Sequence, residues 1–81
     1  MRSQAKPDPY TQMGRAIKAR RQALNLSQTE AGDMADCGRL FVSWVEQGKP
    51  TLRLDKLIDL MHALGLQFAL MAGSHGIEVR T

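Results

Sequence analysis

Apolar residues recur along this chain at two intervals. Between Met13 and Leu64 they fall three and four apart, the spacing of one helix face, and from Leu66 onward they alternate. Residues 1–9, MRSQAKPDP, carry neither pattern and are broken by Pro7 and Pro9, which predicts a mobile arm. A first helix is predicted over about Thr11 to Ala23. Met13, Ala16, Ile17 and Leu24 would face the core, and Arg15, Lys18, Arg20 and Arg21 would cover the rest. Thr11 is one candidate cap; Asp8, with Pro9 at the first helical position, is the other. Asn25 is the expected stop. A second helix begins at Ser27, where Ser27 and Glu30 have the spacing of a capping box. Ala31, Met34 and Ala35 line one of its faces, and Gly32 would let another helix approach closely. Asp36-Cys37-Gly38 reads as a turn, with Cys37 as a small plug between helices. A third helix is expected from Arg39 to Gln47, ending at Gly48. Val42 and Val45 point inward, so Arg39, Leu40, Ser43 and Trp44 point outward. Gly48 to Thr51 form a loop that Pro50 keeps from being helical.

A fourth helix is predicted from Arg53 or Leu54 to Leu64, with Gly65 ending it. Its stripe of Leu54, Leu57, Ile58, Met61 and Leu64, widened by Leu60, is broader than one small core requires. Leu66, Phe68 and Leu70 then alternate with Gln67, Ala69 and Met71, which predicts a strand. Residues 73–76 read as a turn and Ile77 to Arg80 as a second short strand. A lone hairpin is marginal in water, so residues 66–81 are expected to pair with a second copy, through Leu66, Phe68 and Leu70. The expected fold is mainly α, with four to five helices and a short C-terminal β-strand or hairpin for dimerisation. The arm would cover residues 1–9, the helical domain 10–65 and the dimerisation segment 66–81.

Composition narrows the function. At 81 residues there is room for one small domain, whose core alone is marginal. The net charge is +3, and residues 2–21 hold Arg2, Lys6, Arg15, Lys18, Arg20 and Arg21 against a single acid, Asp8. That asymmetry suits a polyanionic partner. The one cysteine, Cys37, has no internal partner, which fits a reducing compartment. No apolar run is long enough to span a bilayer and no signal peptide follows Met1, so a cytoplasmic protein without a membrane partner is expected. His62 and His75 lie in different segments, and no paired Cys or His spacing or glycine-rich phosphate loop occurs. Neither a metal or other cofactor nor catalysis is implied.

Residues 26–48, LSQTEAGDMADCGRLFVSWVEQG, thus supply a helix, a tight turn and a helix with polar residues at its start. That is what a helix-turn-helix needs: the second helix enters the major groove while the first crosses the backbone. Ser27-Gln28, Glu30, Ala35, Val42-Ser43 and Glu46-Gln47-Gly48 resemble the lambda-repressor/Cro-like, or XRE, family over about 55 residues. The family usually has Leu at the position of Ala31, Gly at Asp36, Ser or Thr at Gly38 and a polar residue at Trp44. Arg39 to Ser43, Gly48-Lys49-Pro50-Thr51, Arg53 to Lys56 and Ala63 to Leu66 are similar, more narrowly, to HipB-type antitoxins. That resemblance implies a homodimer sharing a sheet through its C-terminal strand, binding to an operator at its own promoter, and capture of a HipA-type serine/threonine kinase toxin. It also implies that Glu46 pairs with a basic residue of the first helix, for which Arg15 and Arg20 are candidates.

On this reading Arg39, Leu40 and Ser43 contact bases; Trp44 is a further candidate for base contact, although packing or a partner contact is the favoured role for it. Arg39 would bond the O6 and N7 of guanine, worth about 1–3 kcal/mol of discrimination, and Leu40 would meet a thymine methyl. Ser27 and Gln28, and then Lys49, Thr51 and Arg53, would contact the phosphate backbone. Two alternatives keep the fold: a regulator with no toxin, and an adaptor that binds only protein.

Overall fold

The computed structural model describes residues 8–70 and 72–73. Among these it contains four helices: α1 (Pro9–Ala23), α2 (Gln28–Met34), α3 (Arg39–Glu46) and α4 (Leu54–Ala63). Of the two caps open to α1, Asp8 is the one used. Its carboxylate accepts the Thr11 N–H at 2.8 Å, and Pro9 occupies the first turn, where no N–H is needed. At α2 the capping box is complete: Ser27 Oγ accepts from the Glu30 N–H, and the Glu30 carboxylate accepts from the Ser27 N–H.

All four helices end in one way. A residue with positive φ follows each C-cap: Asn25, Asp36, Gly48 and Gly65. The N–H of the next residue reaches back five positions, from Leu26 to Arg21, Cys37 to Gly32, Lys49 to Trp44 and Leu66 to Met61, at 2.7–3.1 Å. This double-bonded stop satisfies carbonyls a helix end leaves free, and turns the chain sharply each time.

The turns fold the helices around Ile17, Ala31, Val42, Val45, Leu60 and Leu64, all buried. Ala35, Phe41, Leu57, Met61 and Leu66 complete the core, and Met13, Leu26, Cys37, Leu52 and Ala63 pack at its edge. Gly32 is where α2 meets α3: a methyl there would stand 2.6 Å from the Gly38 carbonyl oxygen and 2.7 Å from the Arg39 nitrogen. Gly14 plays the same part between α1 and the end of α3, against the carbonyls of Val45 and Glu46.

Three residues expected inside are exposed. Leu24 is the C-cap of α1, beyond its last turn, and Arg21 takes the buried position one turn earlier. Met34 flanks the face that Ala31 and Ala35 centre. Leu54 is in line with Leu57 and Met61 but overhangs the core from the first turn of α4, whose buried face centres on Leu60. Arg21, expected at the surface, is buried.

The C-terminal segment also differs from expectation. Leu66 is buried in the core of its own chain rather than left for a partner. Residues 67–70 run on exposed, and no strand occurs among the described residues. A ladder needs a second strand, and the described residues of one copy offer none to this segment. Residue 71 and the expected second strand, 77–80, lie outside the described residues, as does the expected arm before Asp8.

Candidate nucleic-acid interface

The site begins with a buried ion pair. Arg21 of α1 donates to both carboxylate oxygens of Glu46 at the end of α3, Nε at 2.6 Å and Nη2 at 3.0 Å. Its Nη1 donates to the Leu26 carbonyl at 2.8 Å, so one guanidinium ties α1 to the α1–α2 connection and to α3. Gln28 Nε2, from the first turn of α2, adds a bond to Glu46 at 3.1 Å. The two charged side chains are only 10% and 4% exposed. Burial alone would raise the Glu46 pKa, but the hydrogen bonds from Arg21 and Gln28 and the charges of Arg21 and Lys18 outweigh it and hold the carboxyl below its ordinary value. Hydrogen bonding to Glu46 likewise raises Arg21. The charge thus remains in place at neutral pH and locks α1, α2 and α3 into one unit.

Neither residue offered by the sequence is the Glu46 partner. Arg20 donates its Nε to the Leu64 carbonyl at 2.8 Å and braces the end of α4, and Arg15 is exposed. A helical reading contained the signal: Arg21 lies four residues after Ile17 and seven after Gly14, on the buried stripe.

From this base α3 projects its outward row. Arg39 is exposed and makes no hydrogen bond or ion pair among the described residues. Leu40 is 53% exposed and Trp44, one turn on, 38%. Half-buried Ser43 accepts a bond from Gln47 Nε2 at 2.7 Å, leaving its own proton to donate. The four residues expected to point outward therefore share one face.

The expected backbone-contact residues are placed less uniformly. Ser27 is exposed but its hydroxyl is engaged in the cap, and Gln28 is half-buried against Glu46. Thr51 is exposed in the loop after α3. Arg53 is paired with Asp55 at 2.7 Å, and the same bond leads the causes that depress the Asp55 pKa. Lys49 lies over the Trp44 ring, its ammonium 4.2 Å from the centroid. The α2–α3 turn is held from the other side by Lys56, whose Nζ donates to the Asp36 carbonyl at 3.0 Å. Cys37 sits part-buried in this turn, and desolvation raises its pKa, as expected for a packed thiol rather than a reactive one.

This arrangement of two helices across a tight turn, with an open row on the second, agrees with comparisons to known proteins. Residues 12–72 match the family model described as a helix-turn-helix domain. The chain belongs to the helix-turn-helix family. Its helix-turn-helix unit is α2, the turn at Asp36 to Gly38, and α3. A curated relative, the uncharacterised HTH-type transcriptional regulator y4mF of Sinorhizobium fredii (strain NBRC 101917 / NGR234), is 30% identical over 60 residues, covering 74% of this chain and 79% of the relative. A solved structure titled MDT Protein superposes with a TM-score of 0.73 at 22% identity, covering 89% of this chain and all of that one, a likeness of fold. The helix-turn-helix assignment makes this a non-enzymatic protein. No helix among the described residues is long and apolar enough to cross a membrane.

Proposed function

We propose that this helix-turn-helix protein is a sequence-specific binder of double-stranded DNA that represses transcription from its own promoter. The observation that carries the reading is the open row Arg39, Leu40, Ser43 on α3, held on a unit fixed by the Arg21–Glu46 pair, with the Arg39 guanidinium unengaged among the described residues. Arg39 reads guanine, Leu40 meets a thymine methyl and Ser43 donates to a base edge. Ser27 and Gln28 at the start of α2, and Lys49, Thr51 and Arg53 after α3, lie along the phosphates. The operator is a palindrome with half-sites about one helical turn apart, bound by a homodimer joined through the C-terminal segment.

The narrower proposal is a HipB-type antitoxin that also neutralises a HipA-type kinase toxin. It rests on the run Gly48-Lys49-Pro50-Thr51 and the Arg53 to Lys56 helix start. The exposed apolar pair Leu40 and Trp44 favours the second reading, a protein-only adaptor.

The test is fluorescence anisotropy of the protein with the DNA upstream of its own gene and with an unrelated duplex, at two salt concentrations. Tight, salt-dependent binding that prefers the upstream DNA and loses about tenfold or more in Arg39→Ala is expected. Equal weak binding to both duplexes, unchanged in Arg39→Ala, transfers the weight to the adaptor. Co-purification with a kinase-like protein encoded beside the gene tests the antitoxin proposal.

A further inference from the structure

Among the loop residues proposed to touch phosphate, Lys49 differs from Arg53. The Arg53 charge is compensated by Asp55 at 2.7 Å. Lys49 has no carboxylate partner among the described residues and rests on an aromatic ring instead. Two restraints fix it there. Its backbone N–H donates to the Trp44 carbonyl at 3.1 Å, and its ammonium lies 4.2 Å from the centroid of the same residue. Gly48 makes the first possible. It has φ +82°, and a methyl on it would stand 2.8 Å from Thr11 Oγ1 and 3.1 Å from Thr11 Cα, so the turn is walled by α1. The end of α3 also favours a cation.

Trp44 is poorly equipped to read a base. Its only polar group is a single N–H donor, so it has no bidentate pairing to offer. One face of its ring is already covered by Lys49. Bases stacked in a duplex leave no face for the ring to stack on.

We infer that Trp44 is a positioning residue: a platform that holds Lys49 as a fixed phosphate-binding cation at the end of α3, reading no base itself. This rests on the DNA-binding reading above. A lysine stem left free would lose side-chain entropy on binding, and here that ordering is already done. The contact is therefore sequence-independent, and its loss weakens every duplex alike.

The experiment uses the full chain with the labelled upstream duplex and an unrelated duplex of equal length, titrated from 50 to 200 mM salt. Lys49→Met is expected to lower the slope of log K against log[salt] by about 0.9 per bound copy, so its affinity falls about 3.5-fold less for each bound copy across that range, about twelvefold less for a dimer. Both duplexes should weaken by the same factor. Trp44→Leu should reproduce the Lys49→Met slope, Trp44→Phe should restore most of it, and the Trp44→Leu/Lys49→Met double variant should lose little more than either. In the free protein, the Lys49 side-chain methylene protons should be shifted upfield by the ring and return to ordinary values in Trp44→Leu. A changed preference between the duplexes in Trp44→Leu with an unchanged salt slope would overturn the inference, as would additive losses in the double variant. If the wild type binds neither duplex, the DNA reading fails first and the clamp with it. If it binds and Lys49→Met changes nothing, only the clamp fails.

Discussion

At the scale of single residues, Glu46 is where stability and the interface meet. It closes a pair that takes both charges largely out of water, with Arg21 and Gln28 filling its oxygens. Removing one member of such a pair leaves the other buried and uncompensated, which costs about 3–5 kcal/mol. Glu46→Gln should therefore lower the urea midpoint steeply at pH 7. The acid limb supplies a control. The Glu46 pKa in the folded state lies below its ordinary value of 4.5, so its contribution is present above that value and lost as pH falls through the folded pKa. The gap between wild type and Glu46→Gln should hold above about pH 5 and close below it. A gap of constant size down to pH 2 would show that the carboxylate charge is not what the pair supplies.

Asp36 works in the other direction. It holds φ +55° in the turn that aims α3; its backbone N–H donates to the Asp33 carbonyl and its carbonyl accepts from Lys56, bonds that need no particular side chain. A left-handed backbone costs an L-residue more than glycine. Asp36→Gly should raise stability by about 0.5–1 kcal/mol, after the greater freedom of glycine in the unfolded chain is discounted. Thermal melts at equal concentration measure it, and an unchanged or lower midpoint would refute the strain.

At the scale of elements, the packing of α2 on α3 depends on the missing side chain of Gly32. A methyl there meets the backbone of Gly38 and Arg39, which cannot rotate away as a side chain would. Gly32→Ala should cost about 1–3 kcal/mol and tilt α3, so DNA affinity should fall more than an equally destabilising change in α4 makes it fall. Chemical shifts confined to α3 and the turn would mark the tilt. Much of this architecture is legible in the sequence. Asn25, Gly48 and Gly65 announce helix stops because few residues tolerate the left-handed turn, and Ser27 with Glu30 announces a start. The outward row of α3 is legible because Val42 and Val45 must turn inward.

What is not legible has a common cause. Periodicity gives the direction of a face but not where the core ends, so Leu24, Met34 and Leu54 read as inward although they lie beyond it or at its flank. Neighbouring residues differ by a hundred degrees about the axis, and only the position of α3 decides that Arg21 rather than Arg20 reaches Glu46. The seating of Lys49 on Trp44 depends on the path of a loop, which no periodicity encodes.

At the scale of the whole molecule, the chain divides its own C-terminal segment. Leu66 anchors it to the core, while Phe68 is exposed and Leu70 wholly so. Two large apolar side chains beyond a buried anchor favour pairing with a second copy, with residues 67–70, which form no strand in one copy, supplying the edge. If the folded protein is such a dimer, its stability depends on protomer concentration: tenfold dilution removes about 1.4 kcal/mol from the apparent value. The urea midpoint should fall accordingly between 100 and 10 μM. Phe68→Asp and Leu70→Asp together should abolish that dependence and give a monomeric mass in sedimentation. Neither side chain belongs to the core of its own chain, so the helical circular-dichroism spectrum should survive. DNA binding separates the consequences further. A monomer still presents Arg39, Leu40 and Ser43 to one half-site but loses the linkage of two, so affinity for the full operator should collapse toward that for a single half-site while the base preference persists. A double variant that keeps its dimer mass and its operator affinity would place the dimer contact elsewhere on the surface. Loss of the helical spectrum would show instead that this segment supports the fold of its own chain beyond Leu66.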